Sequence, residues 1–254
     1  MTSLHKPSEI ADLVENAGVA KAAIPFHALV ILSVLAGAFI AFGSAFYLMS
    51  MTGADLGYGP SRVLGGMVFS LGLILVVIGG AELFTGNALI VMAYVDKRIS
   101  TAALLRNWTI VWCGNFVGAL LIALAFAQTG LIEAGFGQTA AKVATAKMAL
   151  GPLDIFVRAI LCNALVCLAV WLSFAATDVA GKILSIIMPV AAFVALGLEH
   201  SIANMFMLPL GLIAGAEGSP VLALQNILIA TAGNIAGGAG GVALAYRFAF
   251  KPQV

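Results

Sequence analysis

Six apolar runs set what this chain can fold into: about 27–50, 63–95, 104–128, 153–176, 183–213 and 220–247. A helix needs about 20 apolar residues to cross the hydrocarbon of a bilayer. Lipid offers the backbone no hydrogen-bond partner, so only helices and closed barrels span it. Runs this long point to a helical bundle. Charged residues make up 9% of the chain and hydrophobic ones 62%, against about 25% charged in an ordinary soluble domain. The net charge of +1 gives no reason to expect nucleic acid. Glu9, Asp12, Glu15 and Lys21 make the first 22 residues too polar for a secretory signal. Cys113, Cys162 and Cys167 lack the spacing of a disulfide framework or a metal site. They read as small core residues, and neither metal nor cofactor is expected.

Residues 1–26 precede the first run. Within them Ile10, Leu13, Val14 and Ala17 share one helical face, with Ser8 placed to cap the helix and Gly18 to stop it. This reads as a short amphipathic helix on the membrane surface. A single membrane domain over 27–250 follows. The N-terminal tail, the 96–106 and 177–182 loops and the C-terminal tail share one side of a six-span arrangement. That side holds Lys6, Lys21, Lys97, Arg98, Arg106, Lys182, Arg247 and Lys251. The other holds Arg62, Lys142 and Lys147, with Arg158 inside the fourth run one turn after Asp154, where an ion pair is the plain reading. The imbalance places both termini in the cytoplasm.

The second and fifth runs are too long for one straight span and carry polar residues midway. Gly79-Gly-Ala-Glu-Leu-Phe-Thr-Gly-Asn87 interrupts the second; Glu199 to Asn204, closed by Pro209 and Gly211, interrupts the fifth. Each reads as two half-helices joined by irregular backbone, which a membrane tolerates only where it is buried or lines a cavity. A long tilted helix with a kink is the alternative. His200 lies in the second interruption, and a titratable group at membrane depth marks a transport path.

The two interruptions also repeat. Glu82 precedes Asn87 by five residues, as Glu199 precedes Asn204, at an offset of 117. Asn107-x6-Gly114-Asn115-x2-Gly118 returns as Asn226-x6-Gly233-Asn234-x2-Gly237, at an offset of 119. The chain is therefore expected to be an all-α membrane protein of six transmembrane helices in two repeats, about 27–128 and 153–247, with helices 2 and 5 broken. Three spans per repeat invert the second copy across the membrane, so the broken helices meet at the midplane. Their N-termini would present unpaired N–H groups and favour a small anion. Glu82 and Glu199 read as acceptors for freed backbone donors and for the repeat asparagines. A direct role in permeation or proton relay is the rival. Asn107, Asn115, Asn226 and Asn234 would fasten the third and sixth spans to the breaks. Gly233, Gly237, Gly238, Gly240 and Gly241 permit close helix approach.

Four ordered motifs now carry a resemblance: Gly80-Ala-Glu-Leu-Phe-Thr-Gly-Asn87, the stretch from Asn107 to Gly118, Leu161-Cys-Asn-Ala-Leu-Val-Cys-Leu-Ala-Val-Trp171, and Leu198-Glu-His-Ser-Ile-Ala-Asn-Met-Phe206. Together they resemble the formate/nitrite transporter family over roughly 20–250, and within it the formate channels. The resemblance implies a homopentamer of aquaporin-like protomers in a bacterial inner membrane, each with its own pore. It implies that His200 lies between two constrictions, with Thr85 on the opposing loop and Asn163 beside the ring. Leu83 and Phe193 would form the periplasmic constriction, Phe69 and Leu73 the cytoplasmic one. Lys147 would attract anions, and Glu199 and Asn204 would complete the substrate pathway. The implied cargo is formate, with nitrite, hydrosulfide or lactate as alternatives, and protons as a partner if His200 assists substrate protonation. An uncharged-solute channel would carry paired Asn-Pro-Ala motifs, absent here. An intramembrane protease using Ser201 would need better geometry than its adjacency to His200 gives, so no enzyme is expected.

Overall fold

The computed structural model describes residues 4–250. Among them every regular element is a helix, apart from one antiparallel bridge between Leu4 and Ala176. α1 (Pro7–Ala22) is followed by α2 (Phe26–Met51), then by an apolar helix over Tyr58–Gly79 that Ser70 divides into α3 (Tyr58–Phe69) and α4 (Leu71–Gly79). A 3₁₀ turn at Gly86–Ile90 leads into α5 (Val91–Val95). α6 (Thr101–Ala127), α7 (Gly135–Met148), α8 (Pro152–Ala175), α9 (Val179–Ala195) and α10 (Ser201–Ile213) complete the middle of the chain. The last rod runs from α11 (Pro220–Ile235) through a π-helical stretch at Ala236–Leu244 to α12 (Ala245–Phe250). Five of these stretches, Phe26–Met51, Tyr58–Gly79, Thr101–Ala127, Pro152–Ala175 and Pro220–Phe250, are long and apolar enough to cross a membrane.

The helix ends follow local chemistry. Ser100 Oγ accepts from Ala103 N–H, Asp178 Oδ1 from Gly181 N–H and Ser219 Oγ from Leu222 N–H. Each satisfies one of the free donors that every helix N-terminus carries. The second and fifth runs break where the sequence places the breaks. Tyr58–Gly79 ends at Gly80 with φ 80°, and α9 ends just before Gly197 with φ 71°. Both glycines stand in the left-handed region, which costs a residue with a Cβ about 1–2 kcal/mol. The offset between them is again 117.

The repeat glycines of the third and sixth spans bring backbones together. α6 packs along α2, and α11 with the π-helical stretch packs along α8. A Cβ on Gly118 would run into Val34 O, and one on Gly237 into Ile160 O. Gly233 and Gly238 are equally confined, whereas Gly240 has nothing within 4 Å and Gly241 only Ala236 O at 4.0 Å within the protomer. The π-helical turns fall on this run of small residues.

Several local expectations are corrected. The cap of α1 is Lys6, whose N–H donates to Glu9 Oε2 at 2.8 Å; Ser8 lies inside the helix behind Pro7. Gly18 does not stop α1, because it is the contact point with Ile90 and Ala93. Ile10, Ala11 and Val14 are buried against Ala88, Leu89 and Met92, so the apolar face of α1 packs on the bundle. Pro209 and Gly211 do not close the second break but lie inside α10, with Gly211 against Ala140 and Ala144 of α7. α7 itself falls between the expected repeats. Cys113 is exposed, unlike buried Cys162 and Cys167.

One end of the molecule gathers the segments assigned to a common side. His5 N–H donates to Ala175 O at 2.9 Å, Arg98 pairs with Glu15 and Arg247 with Asp96, and Trp171 stacks on Tyr246 at 4.1 Å. Lys251 lies outside the described residues.

Candidate functional site

The site grows out of two copies of one hydrogen-bond network. In the first half, Asn87 Nδ2 donates to Glu82 Oε2 at 2.8 Å and to Asn107 Oδ1 at 2.9 Å. In the second, Asn204 Nδ2 donates to Glu199 Oε2 and to Asn226 Oδ1, both at 2.7 Å. Asn107 Nδ2 donates to Lys21 O and Asn226 Nδ2 to Lys147 O. Asn115 takes Phe84 N–H and donates to Glu82 O and Ser33 O; Asn234 takes Ser201 N–H and donates to Glu199 O and Ala159 O. Each break is thereby tied to the long spans of its own half, since irregular backbone in a dry interior must find its partners there.

The remaining oxygen of each glutamate meets a lysine. Lys147 Nζ lies 2.8 Å from Glu199 Oε1, and Lys21 Nζ 2.5 Å from Glu82 Oε1. Glu199 and Glu82 are buried. The carboxylates therefore accept from asparagine and lysine, while the backbone donors of the breaks go to Asn115 and Asn234. Lys21 is a site residue that sequence reasoning missed. Its signal was position: Lys21 stands five residues before Phe26 and Lys147 five before Pro152, at the starts of the first and fourth spans. The matched network thus reaches into α1 in the first half and α7 in the second.

Two of the N–H groups expected to be free at the N-terminus of α10 are occupied. Ser201 N–H is held by Asn234 Oδ1, and Ala203 N–H donates to His200 Nδ1 at 3.1 Å. His200 is thus the N-cap of α10. A ring nitrogen that accepts must keep its lone pair, so the proton of the neutral imidazole is on Nε2. Nε2 lies 3.0 Å from Thr85 Oγ1, which belongs to the other break. Thr85 is fixed in turn, because Asn163 Nδ2 donates to its carbonyl at 3.2 Å and to Asn234 O at 2.6 Å. Asn163 reaches the ring only through Thr85.

A cavity lies on each side of this contact. One, of about 210 Å³, is lined by Lys147, Glu199, His200, Asn204, Phe69 and Phe193, with Arg62 and Arg158. The other, of about 380 Å³, is lined by Lys21, Gly80, Glu82, Leu83, Asn87, Leu73 and Lys182. Each cavity therefore takes its wall from one break. Thr85 and Asn163 line neither and are buried between them. The four expected constriction residues group otherwise than the resemblance implied. Phe69 and Phe193 meet edge to face at 5.6 Å in the first cavity, and His200 stacks on Phe193 at 5.7 Å. Leu73 and Leu83 line the second. The reason lies in the repeat: Leu83 occupies in the first break the position His200 holds in the second, so it faces its own half's cavity.

Arg158 makes its expected pair with Asp154 at 2.6 Å, and also donates to Gly197 O at 3.2 Å. Arg62, which no motif singled out, donates to Ala195 O and Val194 O at the end of α9.

Comparison with known proteins places this geometry. The family model described as "Formate/nitrite transporter" matches residues 8–248. The chain belongs to the formate/nitrite transporter family. An uncharacterized transporter, YrhG of Bacillus subtilis, is 42% identical over 99% of this chain and 96% of its own. The formate channel FocA of Haemophilus influenzae is 38% identical over 96% of this chain and 94% of its own. Among solved structures, a pentameric formate channel with formate bound aligns with a TM-score of 0.79 at 35% identity, covering 89% of this chain and 98% of that one. Membership in this family makes the protein a multi-pass membrane transporter.

Proposed function

We propose that this protein moves a small monovalent anion, formate first of all, across the bacterial cytoplasmic membrane, passively or coupled to protons. The working form is a homopentamer in lipid with one aquaporin-like path per protomer, and both termini lie in the cytoplasm. The substrate pathway runs past Lys147, Glu199, Asn204 and His200, with Thr85 and Asn163 holding the ring. The single observation that carries the reading is the Thr85–His200 contact: two breaks from opposite halves touch between two cavities. The formate channels among the relatives, and the formate bound in the pentameric neighbour, support the choice of cargo. The clustering of Arg98 and Arg247 with the N-terminal segment supports the orientation. With three spans in each half, the second copy enters from the opposite face.

An intact anion passing Phe69 and Phe193, or Leu73 and Leu83, would lose hydration at a cost of several kcal/mol. Neutral formic acid would pass far more easily. At rest His200 Nε2–H donates to Thr85 Oγ1; a carboxylate oxygen that takes the place of Oγ1 accepts this hydrogen bond instead, and the proton that makes formic acid comes from water in the cavity. The cap on Nδ1 sets the part of the ring: it is neutral at rest, and a second proton at Nδ1 requires release of Ala203 N–H. His200 thus assists as a hydrogen-bond donor to the substrate without giving up its own proton; a relay through the ring requires the α10 cap to open, so that Nδ1 takes a proton as Nε2 releases one.

Flux of labelled formate and nitrite into proteoliposomes at two pH values tests this. His200→Phe, which removes the donor, abolishes most formate flux, whereas His200→Asn retains flux and its pH profile. A profile flattened by His200→Asn establishes titration of the ring instead. Equal flux for wild type and His200→Phe overturns the reading.

A further inference from the structure

The two cavities share a charge pattern that the hydrogen-bond network does not explain. In the first, Lys147 is matched by Glu199 at 2.8 Å and Arg158 by Asp154 at 2.6 Å. A matched pair projects little field beyond its own length. Arg62 is different. Its hydrogen bonds go to uncharged carbonyls, Ala195 O through Nε and Val194 O through Nη2, and the ring of Tyr58 lies 5.4 Å away. Among the described residues no carboxylate makes an ion pair with it, and its Nη1 makes no hydrogen bond. The guanidinium is also held where it is needed. A Cβ on Gly197, at the break itself, would stand 2.7 Å from Arg62 Nη2.

The second cavity repeats the pattern with other residues. Lys21 is matched by Glu82. Lys182, on the first turn of α9, lines the same cavity, and its ammonium makes no hydrogen bond or ion pair among the described residues. Each vestibule thus combines one neutral Lys–Glu pair, built into the break, with one uncompensated cation on a neighbouring helix.

We propose that Arg62 and Lys182 are the residues that collect the substrate anion, one in each vestibule, and that Lys147 and Lys21 serve as fixed counter-ions of the break glutamates. The ligand class is a small monovalent anion with a carboxylate-like head, which the open Nη1 edge of Arg62 can bind by a charge-assisted hydrogen bond. The carbonyls of Val194 and Ala195, at the C-terminal end of α9, orient the guanidinium and offset only part of its charge. A cleft with low-dielectric walls and one unmatched charge raises the local concentration of a counter-ion. The assignment rests on the reading that these cavities conduct an anion.

The test is the concentration dependence of labelled formate influx into proteoliposomes of known orientation, at low and at high ionic strength. Arg62→Gln raises the half-saturating concentration about threefold or more from the Arg62 face at low salt and leaves maximal flux near the parent value. The difference shrinks at about 0.5 M salt, where screening acts over a few ångströms. Arg62→Lys retains most of the parent behaviour. Lys182→Gln, at a side chain that holds no other group in place, produces the same shift from the opposite face and keeps the proposal open to refutation should Arg62→Gln fold poorly. Unchanged half-saturation in Lys182→Gln and in folded Arg62→Gln overturns the proposal while leaving formate transport standing. A parent protein that carries neither formate nor nitrite overturns the underlying reading and the proposal with it.

Discussion

At the scale of single residues, the two glutamates decide how much the breaks cost. Each is buried in a cavity wall with an asparagine on one oxygen and a lysine on the other. Removing one partner of a buried pair leaves an uncompensated charge and costs about 3–5 kcal/mol. Lys147 is 17% exposed in its side chain and Lys21 31%. Water can therefore solvate Lys21 better once its partner is gone. Glu199→Gln accordingly lowers the thermal unfolding midpoint in detergent more than Glu82→Gln does, and reversal of that order refutes the ranking. Thr85 is the second such residue. Thr85→Val keeps the shape but strands the Nε2–H of His200, an unsatisfied donor worth about 1–3 kcal/mol. Loss of stability together with most of the formate flux is the expected result. The sequence made Glu82, Glu199, His200 and the four span asparagines visible because polar residues are scarce in apolar runs. It hid Arg62 and Lys21, since a cation at the end of an apolar run looks like any interfacial charge until its neighbours are known.

At the scale of elements, the breaks are set by Gly80 and Gly197, which share a left-handed backbone but not an environment. A Cβ on Gly80 meets nothing within 4 Å, whereas one on Gly197 presses on the Arg62 guanidinium. Gly80→Ala therefore costs only the conformational penalty of about 1–2 kcal/mol. Gly197→Ala costs that and displaces Arg62, so it also weakens uptake at low formate concentration. A comparison of unfolding midpoints and half-saturating concentrations for the two variants separates the effects. The breaks were legible because glycine and polar residues interrupt otherwise continuous apolar sequence. The matched lysines of α1 and α7 were not. The residues of α7 are too mixed to stand out, and the match appears only when Lys147 and Lys21 are seen reaching equivalent glutamates.

At the scale of the whole molecule, α1 belongs to the transport domain. It buries Ile10, Ala11 and Val14 against the helix that follows the first break, and it delivers Lys21 to Glu82. Fully burying side chains of the size of Ile10 and Val14 is worth about 1.5–3 kcal/mol each. A chain lacking residues 1–24 should therefore unfold several degrees lower in detergent, and an unchanged midpoint would mean that α1 is a detachable appendage. By itself the sequence determined that the chain crosses a membrane as helices, that two of its apolar runs are broken, and that its halves repeat. Those properties follow from hydrophobic length, from glycine and from the spacing of rare polar residues, all of which are local. Only the tertiary structure decided which face of each break meets which cavity. It alone set the pairing of Phe69 with Phe193, the meeting of His200 with Thr85 and the choice of which cations have a carboxylate partner. These depend on partners at least 52 residues away in sequence, and the free energy of a buried charge is fixed by what stands beside it in space.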